Sequence, residues 1–428
     1  MKEYLKKLPD EILKLIELAG KTSEAMGCDC YVIGGFVRDL ILRVDNFDLD
    51  IAVEGDGIAF AGRLAKELGA KLVTHRRFGT ATIALKHHLK IDVATTRREF
   101  YPEPASLPVV SSGSLKDDLA RRDFTINSLA ISINGSEFGK LVDIFGGAGD
   151  IAGKKVRVLH NLSFIDDPTR ILRAVRFEKR YDFSIEKNTL GLLKSAVKQG
   201  MLEKVEPQRL RDELILMLKE KLPFKCLSRL EKLCGFKFIN SRLKLKNTSY
   251  GLFHAIDRQV DWYRKEHHHR RHLDGWLVYL MALLDGLDAG QADAVCKKFV
   301  FRKGEEKRLL SSKTLDKKMI GLLSKPEVAP SRAFKMLEPL SYEVILFMRA
   351  RYENPNLRRH IDDFLNFHNG TSISISGHDL RHLGIAPGPC YQDIFFKVLN
   401  AKLDGKIKTK EEELEFVKKM IKGKDRDR

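Results

Sequence analysis

Short runs in which apolar and polar residues alternate fill the first third of the chain, and the spacing lengthens after that. Tyr31–Ile33, Asp48–Val53, Thr80–Leu85, Ile91–Ala94 and Ser128–Ile133 carry the two-residue period of strands, with helix-like stretches between them. From about residue 156 a helical period replaces the strands. The pattern predicts an α+β chain: a mixed α/β head over residues 1–155, a helical neck over 156–225, a helical body over 226–330 and a helical tail over 331–428. Inside the head, the stretch from Tyr101 through Pro102, Pro104 and Pro108 to Ser114 has no regular pattern. It predicts a long loop, and long loops in compact domains are usually functional or mobile.

Two acids break the alternation in an informative place. Asp48 and Asp50 are one residue apart in a strand pattern, so their carboxylates point the same way. Paired hard oxygen ligands of this kind suit Mg²⁺, which keeps waters and phosphates as its other ligands. Gly34 and Gly35 follow an apolar strand and open a helix-like stretch ending in Arg38 and Asp39, where bare N–H groups can approach a phosphate. Asp92 is a third acid in an apolar alternation. It either touches a metal or activates the attacking hydroxyl, unless it is one exposed acid on an edge strand.

Further along, Arg121 and Arg122 stand beside Asp123, with Asn127 four residues on. On a helix Asp123 and Asn127 would share a face, to hold each other or a ribose hydroxyl, while the arginines clamp a triphosphate. Pro168 fits the first turn of another helix, with Asp166 or Asp167 as its N-cap and Arg170, Arg173 and Arg176 fanned along it. Taken alone, that segment also reads as a capped basic surface helix. Arg209 and Glu213 have the spacing of a pair on one helix face.

These residues, in this order, resemble the class II tRNA nucleotidyltransferases (CCA-adding enzymes) and bacterial poly(A) polymerases of the polymerase-β superfamily. Gly34 to Asp39 is similar to the family's phosphate-binding turn, Asp48-Leu49-Asp50 to its metal pair, and Arg122 to Asn127 to its ribose motif. The resemblance implies a polymerase-β-like head, and it implies that Asp167 and Arg170 form a protein template for the incoming base. It also implies that the loop from Tyr101 to Ser114 assists the final A addition. Chemistry favours the template role: cytosine and adenine present a donor then an acceptor on the pairing edge, and uracil and guanine present the reverse. A carboxylate only accepts and a guanidinium only donates, so the pair matches C and A, by about 1–3 kcal/mol for a good bidentate contact. The chain departs from the family at Arg43, where many members have glycine, at Asp166 in place of glutamate, and at Pro207-Gln208.

Composition agrees with an RNA enzyme. A net charge of +18 over 428 residues favours a polyanionic partner, since cations that neutralise phosphates release counterions. The longest apolar run, Trp276 to Leu284, is too short to span a bilayer, and the N-terminus lacks an apolar signal core. Six scattered cysteines show neither a disulfide framework nor zinc spacing, which predicts reduced thiols in a cytoplasm. The run from His267 to His272 is expected to be a solvated or RNA-facing basic stretch. Near the end, Ile375 to Leu380 and Leu383 to Pro389 resemble a tail motif of the group.

The expected activity is template-independent addition of C, C and A to a tRNA 3′ end from CTP and ATP, with release of pyrophosphate. Asp48 and Asp50 are expected to hold two Mg²⁺ ions, and Gly35 and Arg38 to receive phosphates. Arg122, Asp123 and Asn127 would take the triphosphate and ribose, and Asp167, Arg170, Arg173 and Arg176 the base and its surroundings. The helical C-terminal half would grip the acceptor arm and T-loop. Enzymes adding only CC, only A or poly(A) share these motifs, whereas a non-catalytic RNA-binding relative would be expected to lose an acid of the pair or the templating arginine.

Overall fold

Leu49, Ile51 and Val53 are buried on one side of a strand while Asp50 faces the other, and this alternation organises the head. The computed structural model describes residues 1–86, 89–267 and 272–424. It divides into two compact units, Met1–Phe238 and the residues from Ile239 onward. The first unit contains every strand among the described residues: β1 (Asp29–Ile33), β2 (Leu49–Glu54), β3 (Lys71–His75), β4 (Thr80–Ala84), β5 (Lys90–Thr95), β6 (Arg97–Phe100), β7 (Val109–Ser112), β8 (Ala130–Ser132), β9 (Leu141–Val142), β10 (Lys155–Val156) and β11 (Ser184–Ile185). Seven of them form one sheet in the order β3-β4-β5-β2-β1-β8-β9. Only β2 and β5 run parallel within it.

Helices Asp10–Met26 and Gly57–Glu67 pack on this sheet through Ile12, Ile16 and Ala19 and through Phe60, Ala61 and Leu64. Full burial of a residue such as Leu64 contributes about 1.5–3 kcal/mol. Asp56 starts the second helix by accepting from the N–H groups of Ile58 and Ala59. On the side that Asp50 faces, a smaller cluster of Ile33, Ala52, Leu115, Leu119 and Ala130 covers only part of the sheet. The carboxylates sit beyond its edge.

Two expectations change here. The patternless stretch from Tyr101 to Ser114 contains β7, which pairs with β6 as a hairpin, and the irregular part shrinks to Tyr101–Pro108 and the two residues Gly113 and Ser114. Strands also persist past residue 156, because β10 and β11 form a short parallel pair. The rest of the first unit is helical, with helices Thr169–Arg180, Pro207–Leu218 and Pro223–Cys234 packed together.

The second unit is helical throughout its described residues. Its core helix Gly275–Leu283 is buried on all sides, which accounts for the apolar run from Trp276. None of the described helices is long and apolar enough to cross a membrane. His267 is buried against Trp262 and Tyr263, unlike the solvated stretch expected, because its ring packs edge-on to the tryptophan at 4.9 Å. His268 to Arg271 lie outside the described residues. Ser376 and Asp379 form a capping box at the start of helix Gly377–His382, so the first N–H groups of the tail motif are satisfied internally.

Candidate active site

β1 ends at Ile33 and the chain turns through Gly34 (φ +70°) into helix Gly35–Leu42. The backbone angle at Gly34 favours glycine, and a Cβ would lie 2.6 Å from Arg122 Nη1 and displace that guanidinium. Arg43 ends the same helix in the left-handed region at φ 56°, the conformation for which glycine is usual. This explains why glycine is common there in the resembling family.

Two of the three acids meet as the alternation requires. Asp50 pairs in register with Asp92 across the parallel β2–β5 ladder, so both carboxylates leave the same face side by side. Asp48 is exposed just before β2, its N–H donating to Asn46 Oδ1. Asp92 accepts from Thr82 Oγ1 at 2.6 Å and from Lys90 Nζ at 2.7 Å. Burial pushes its carboxyl up, but the bonds from Lys90 and Thr82 outweigh that and leave it below the usual range. Asp50 has no hydrogen-bond or ion-pair partner among the described residues. Burial, with Asp92 and Asp48 adding and Arg122 opposing, pushes its carboxyl up to about 6.

A half-buried acid lacking a protein partner, one strand step from an exposed acid, fits a hard divalent cation. Among the described residues no three His, Cys, Asp or Glu side chains gather in metal-binding geometry. The protein would therefore supply Asp48 and Asp50, and the other ligands would fall to water and phosphate.

Helix Leu115–Ala120 ends before Arg121, so Asp123 and Asn127 do not share a helical face. They nevertheless meet, because a 3₁₀ turn over Thr125–Asn127 brings Asn127 Nδ2 to Asp123 Oδ1 at 2.9 Å. Arg173 reaches the other carboxylate oxygen at 2.6 Å. Burial raises the Asp123 carboxyl, but the Arg173 charge and these bonds outweigh it and hold it down to about 2. Arg122 pairs with the buried Asp118, which also takes Arg121, and its Nε is buried without a partner among the described residues.

Helix Thr169–Arg180 is no surface helix. Arg170 and Arg176 are only 4% and 6% exposed. Asp167, one residue before the N-cap Pro168, accepts at Oδ1 from Thr169 N and Oγ1 and from Arg209 Nη2. Arg170 lies 4.0 Å from Asp167 Oδ2 and donates to Ser163 Oγ and the Arg121 carbonyl. Arg209 and Glu213 do not pair with each other as their spacing suggests. Arg209 also binds the Ala105 carbonyl, and Glu213 receives Arg173 and Arg176.

Comparison with known proteins bears on what this site serves. Residues 30–157 match the family described as Poly A polymerase head domain, and residues 182–243 that described as Probable RNA and SrmB- binding site of polymerase A. The A-adding tRNA nucleotidyltransferase of Halalkalibacterium halodurans is 30% identical over 416 residues, covering 97% of this chain and 94% of that protein. The chain belongs to the tRNA nucleotidyltransferase family. A second A-adding tRNA nucleotidyltransferase, from Geobacter sulfurreducens, is 37% identical over 95% of this chain. The chain spans about half of that relative, the match taking in 47% of its length. Among solved structures, the Thermotoga maritima CCA-adding enzyme complexed with tRNA_CCA is 34% identical, covers 98% of both chains and has a TM-score of 0.72.

The sequence did not single out all the groups around this site. Asp118 escaped, although its spacing from Arg121 and Arg122 is that of helix ion pairs. Asp39 is fully buried and holds Arg38 Nε and Nη2 at 2.8 Å each. Arg38 Nη1 in turn donates to Asn127 Oδ1, so this guanidinium is bonded within the protein. Tyr181 completes the group and has no sequence signal, because its partner Asp39 is distant in the chain.

Proposed function

We propose that the protein extends the 3′ end of tRNA without a nucleic-acid template, transferring AMP from ATP and releasing pyrophosphate. The observation that carries the reading is Asp50, a partly buried carboxylate beside Asp92 with no protein partner among the described residues, on the strand paired with β1, which leads into the Gly34-Gly35 turn. Asp48 and Asp50 would hold two Mg²⁺ ions, which when bound lower the pKa of the primer hydroxyl and neutralise the triphosphate. The Gly35 N–H and Arg122 receive phosphate oxygens. Asp123 and Asn127 receive the ribose, and Asp167 accepts from the exocyclic amine of the base through Oδ2, with Arg170 beside it. Arg173 and Arg176, bonded to Asp123 and Glu213, hold these groups in place. Catalysis then rests on positioning and charge neutralisation, with no covalent enzyme intermediate.

Addition of A is the step named for the two A-adding relatives and contained within CCA addition. A second reading, addition of C, C and A from CTP and ATP, is supported by the likeness to the Thermotoga maritima CCA-adding enzyme over nearly the whole chain. The experiment that tests both offers purified protein tRNAs lacking CCA, lacking CA or lacking A, with CTP, ATP or both, and sequences the products. Extension of only the last primer selects A addition, and extension of all three selects CCA addition. Long A tails or no extension would refute both. In the same assay Asp48→Ala should abolish incorporation while tRNA binding persists.

A further inference from the structure

One buried carboxylate ties the two halves of the site together. Asp39 is 0% exposed and accepts four hydrogen bonds: from Arg38 Nε and Tyr181 Oη at Oδ1, and from Arg38 Nη2 and Asn46 Nδ2 at Oδ2. Each donor has a second job. Arg38 passes its remaining nitrogen to Asn127 Oδ1 at 2.5 Å, which fixes the carboxamide so that Nδ2 faces Asp123. A flipped carboxamide would set donor against donor. Asn46 uses its own Oδ1 to hold the N–H of Asp48 at 3.0 Å. Tyr181 contributes both its hydroxyl, 3.0 Å from Asp39, and its ring, 4.7 Å below the Arg38 guanidinium. Phe177 flanks the same guanidinium at 5.3 Å.

We infer that Tyr181 is a positioning residue for nucleotidyl transfer, acting through Asp39 and Arg38 to orient Asn127 toward the ribose of the incoming nucleotide. The inference rests on the proposed ribose role of Asp123 and Asn127. It gives helix Thr169–Arg180 a second hold on the site, since Arg173 grips Asp123 from one side and Tyr181, just past the helix end, acts on Asn127 from the other. Without the hydroxyl, Asp39 Oδ1 keeps one donor, and Arg38 with Asn127 can rotate together. Burial and the neighbouring Asp39 push the Tyr181 phenol well above its ordinary value, so the hydroxyl remains a donor across the working pH range.

The test is Tyr181→Phe, which keeps the ring under Arg38 and removes only the donor. ATP and 2′-deoxyATP are compared as substrates on a tRNA primer lacking the final A, with Asn127→Ala in parallel. Tyr181→Phe is expected to lower the preference for ATP by about two- to tenfold, the range covered by the loss of one hydrogen bond, chiefly through KM for ATP. Its melting temperature should stay near that of the parent. Asn127→Ala should lose most of the preference. If Asn127→Ala loses it and Tyr181→Phe matches the parent, the inference is overturned and the ribose reading stands. If Asn127→Ala keeps the full preference, the ribose reading fails and the inference with it. Asn46→Ala gives a second check from the other arm. It should raise the Mg²⁺ concentration needed for half-maximal incorporation through Asp48 and, by removing the donor on Asp39 Oδ2, lower the ATP preference as well, and an unchanged ATP preference would overturn the hub role of Asp39.

Discussion

Replacing Asp50 with asparagine should stabilise the metal-free protein while abolishing incorporation. Asparagine keeps the shape and removes a charge that burial disfavours, with Asp92 and Asp48 adding to the cost. The rise of the carboxyl from 3.8 to about 6 corresponds to about 3 kcal/mol, at about 1.4 kcal/mol for each pH unit. The sign follows from linkage: a carboxyl raised in the folded state costs nothing below its unfolded value near 3.8. The cost then grows as pH rises and is complete above about 6. Thermal melts in chelator at about pH 7.5 should therefore place Asp50→Asn about 6–12 °C above the parent, using about 2–4 °C per kcal/mol for a unit of this size. Near pH 4 the gain should shrink to under about 1 kcal/mol. Added Mg²⁺ should raise the parent and not the variant, since a ligand stabilises only the state that binds it. Equal melting near neutral pH, or a gain that survives at pH 4, would refute the reasoning.

Arg209→Ala should release the irregular segment around Ala105, because both its carbonyl and Asp167 Oδ1 lose a charged donor, a cost of about 1–3 kcal/mol. Faster proteolytic cleavage between Tyr101 and Ser114 is the readout, and unchanged cleavage would count against the anchor. In the second unit, Glu413 is buried, with Lys402 at 2.6 Å and the N–H groups of Ser374 and Ile375 on its other oxygen. Burial pushes that carboxyl up, but these bonds win and hold it below 4.5, so the stability it contributes is present above 4.5 and lost as pH falls through its folded value. Glu413→Gln should cost about 2–4 kcal/mol near neutral pH in urea unfolding, since Lys402 loses its counter-charge, and less in acid.

Legibility in the sequence followed contrast. Asp50 and Asp92 stood out because each interrupts an apolar alternation, and the register places them side by side. β3 and β7 carried little signal because their residues are almost all exposed, so no buried face imposed a pattern. Asp123 and Asn127 were found for a partly wrong reason: their contact is real, but a 3₁₀ turn makes it rather than a helix. The burial of Arg170 and Arg176 was invisible, because a guanidinium enters a core only when distant groups such as Ser163, the Arg121 carbonyl and Glu213 receive it. Spacing reports neighbours along one helix. It says nothing of acceptors supplied by another segment.

The lone parallel ladder in the sheet makes the chemistry depend on strand parity. Between Gly55 and Leu89 the chain runs through a helix and a hairpin before returning beside β2. Extra residues in the turns of that excursion change its size and leave the two acids adjacent. A single residue inserted within β5 ahead of Asp92 would swing that carboxylate to the opposite face and bring an aliphatic side chain beside Asp50. Length is free only in the turns of the excursion and fixed in its helix and strands, so single-residue insertions at the Gly69-Ala70 turn should be tolerated and insertions within β4 or β5 should abolish activity.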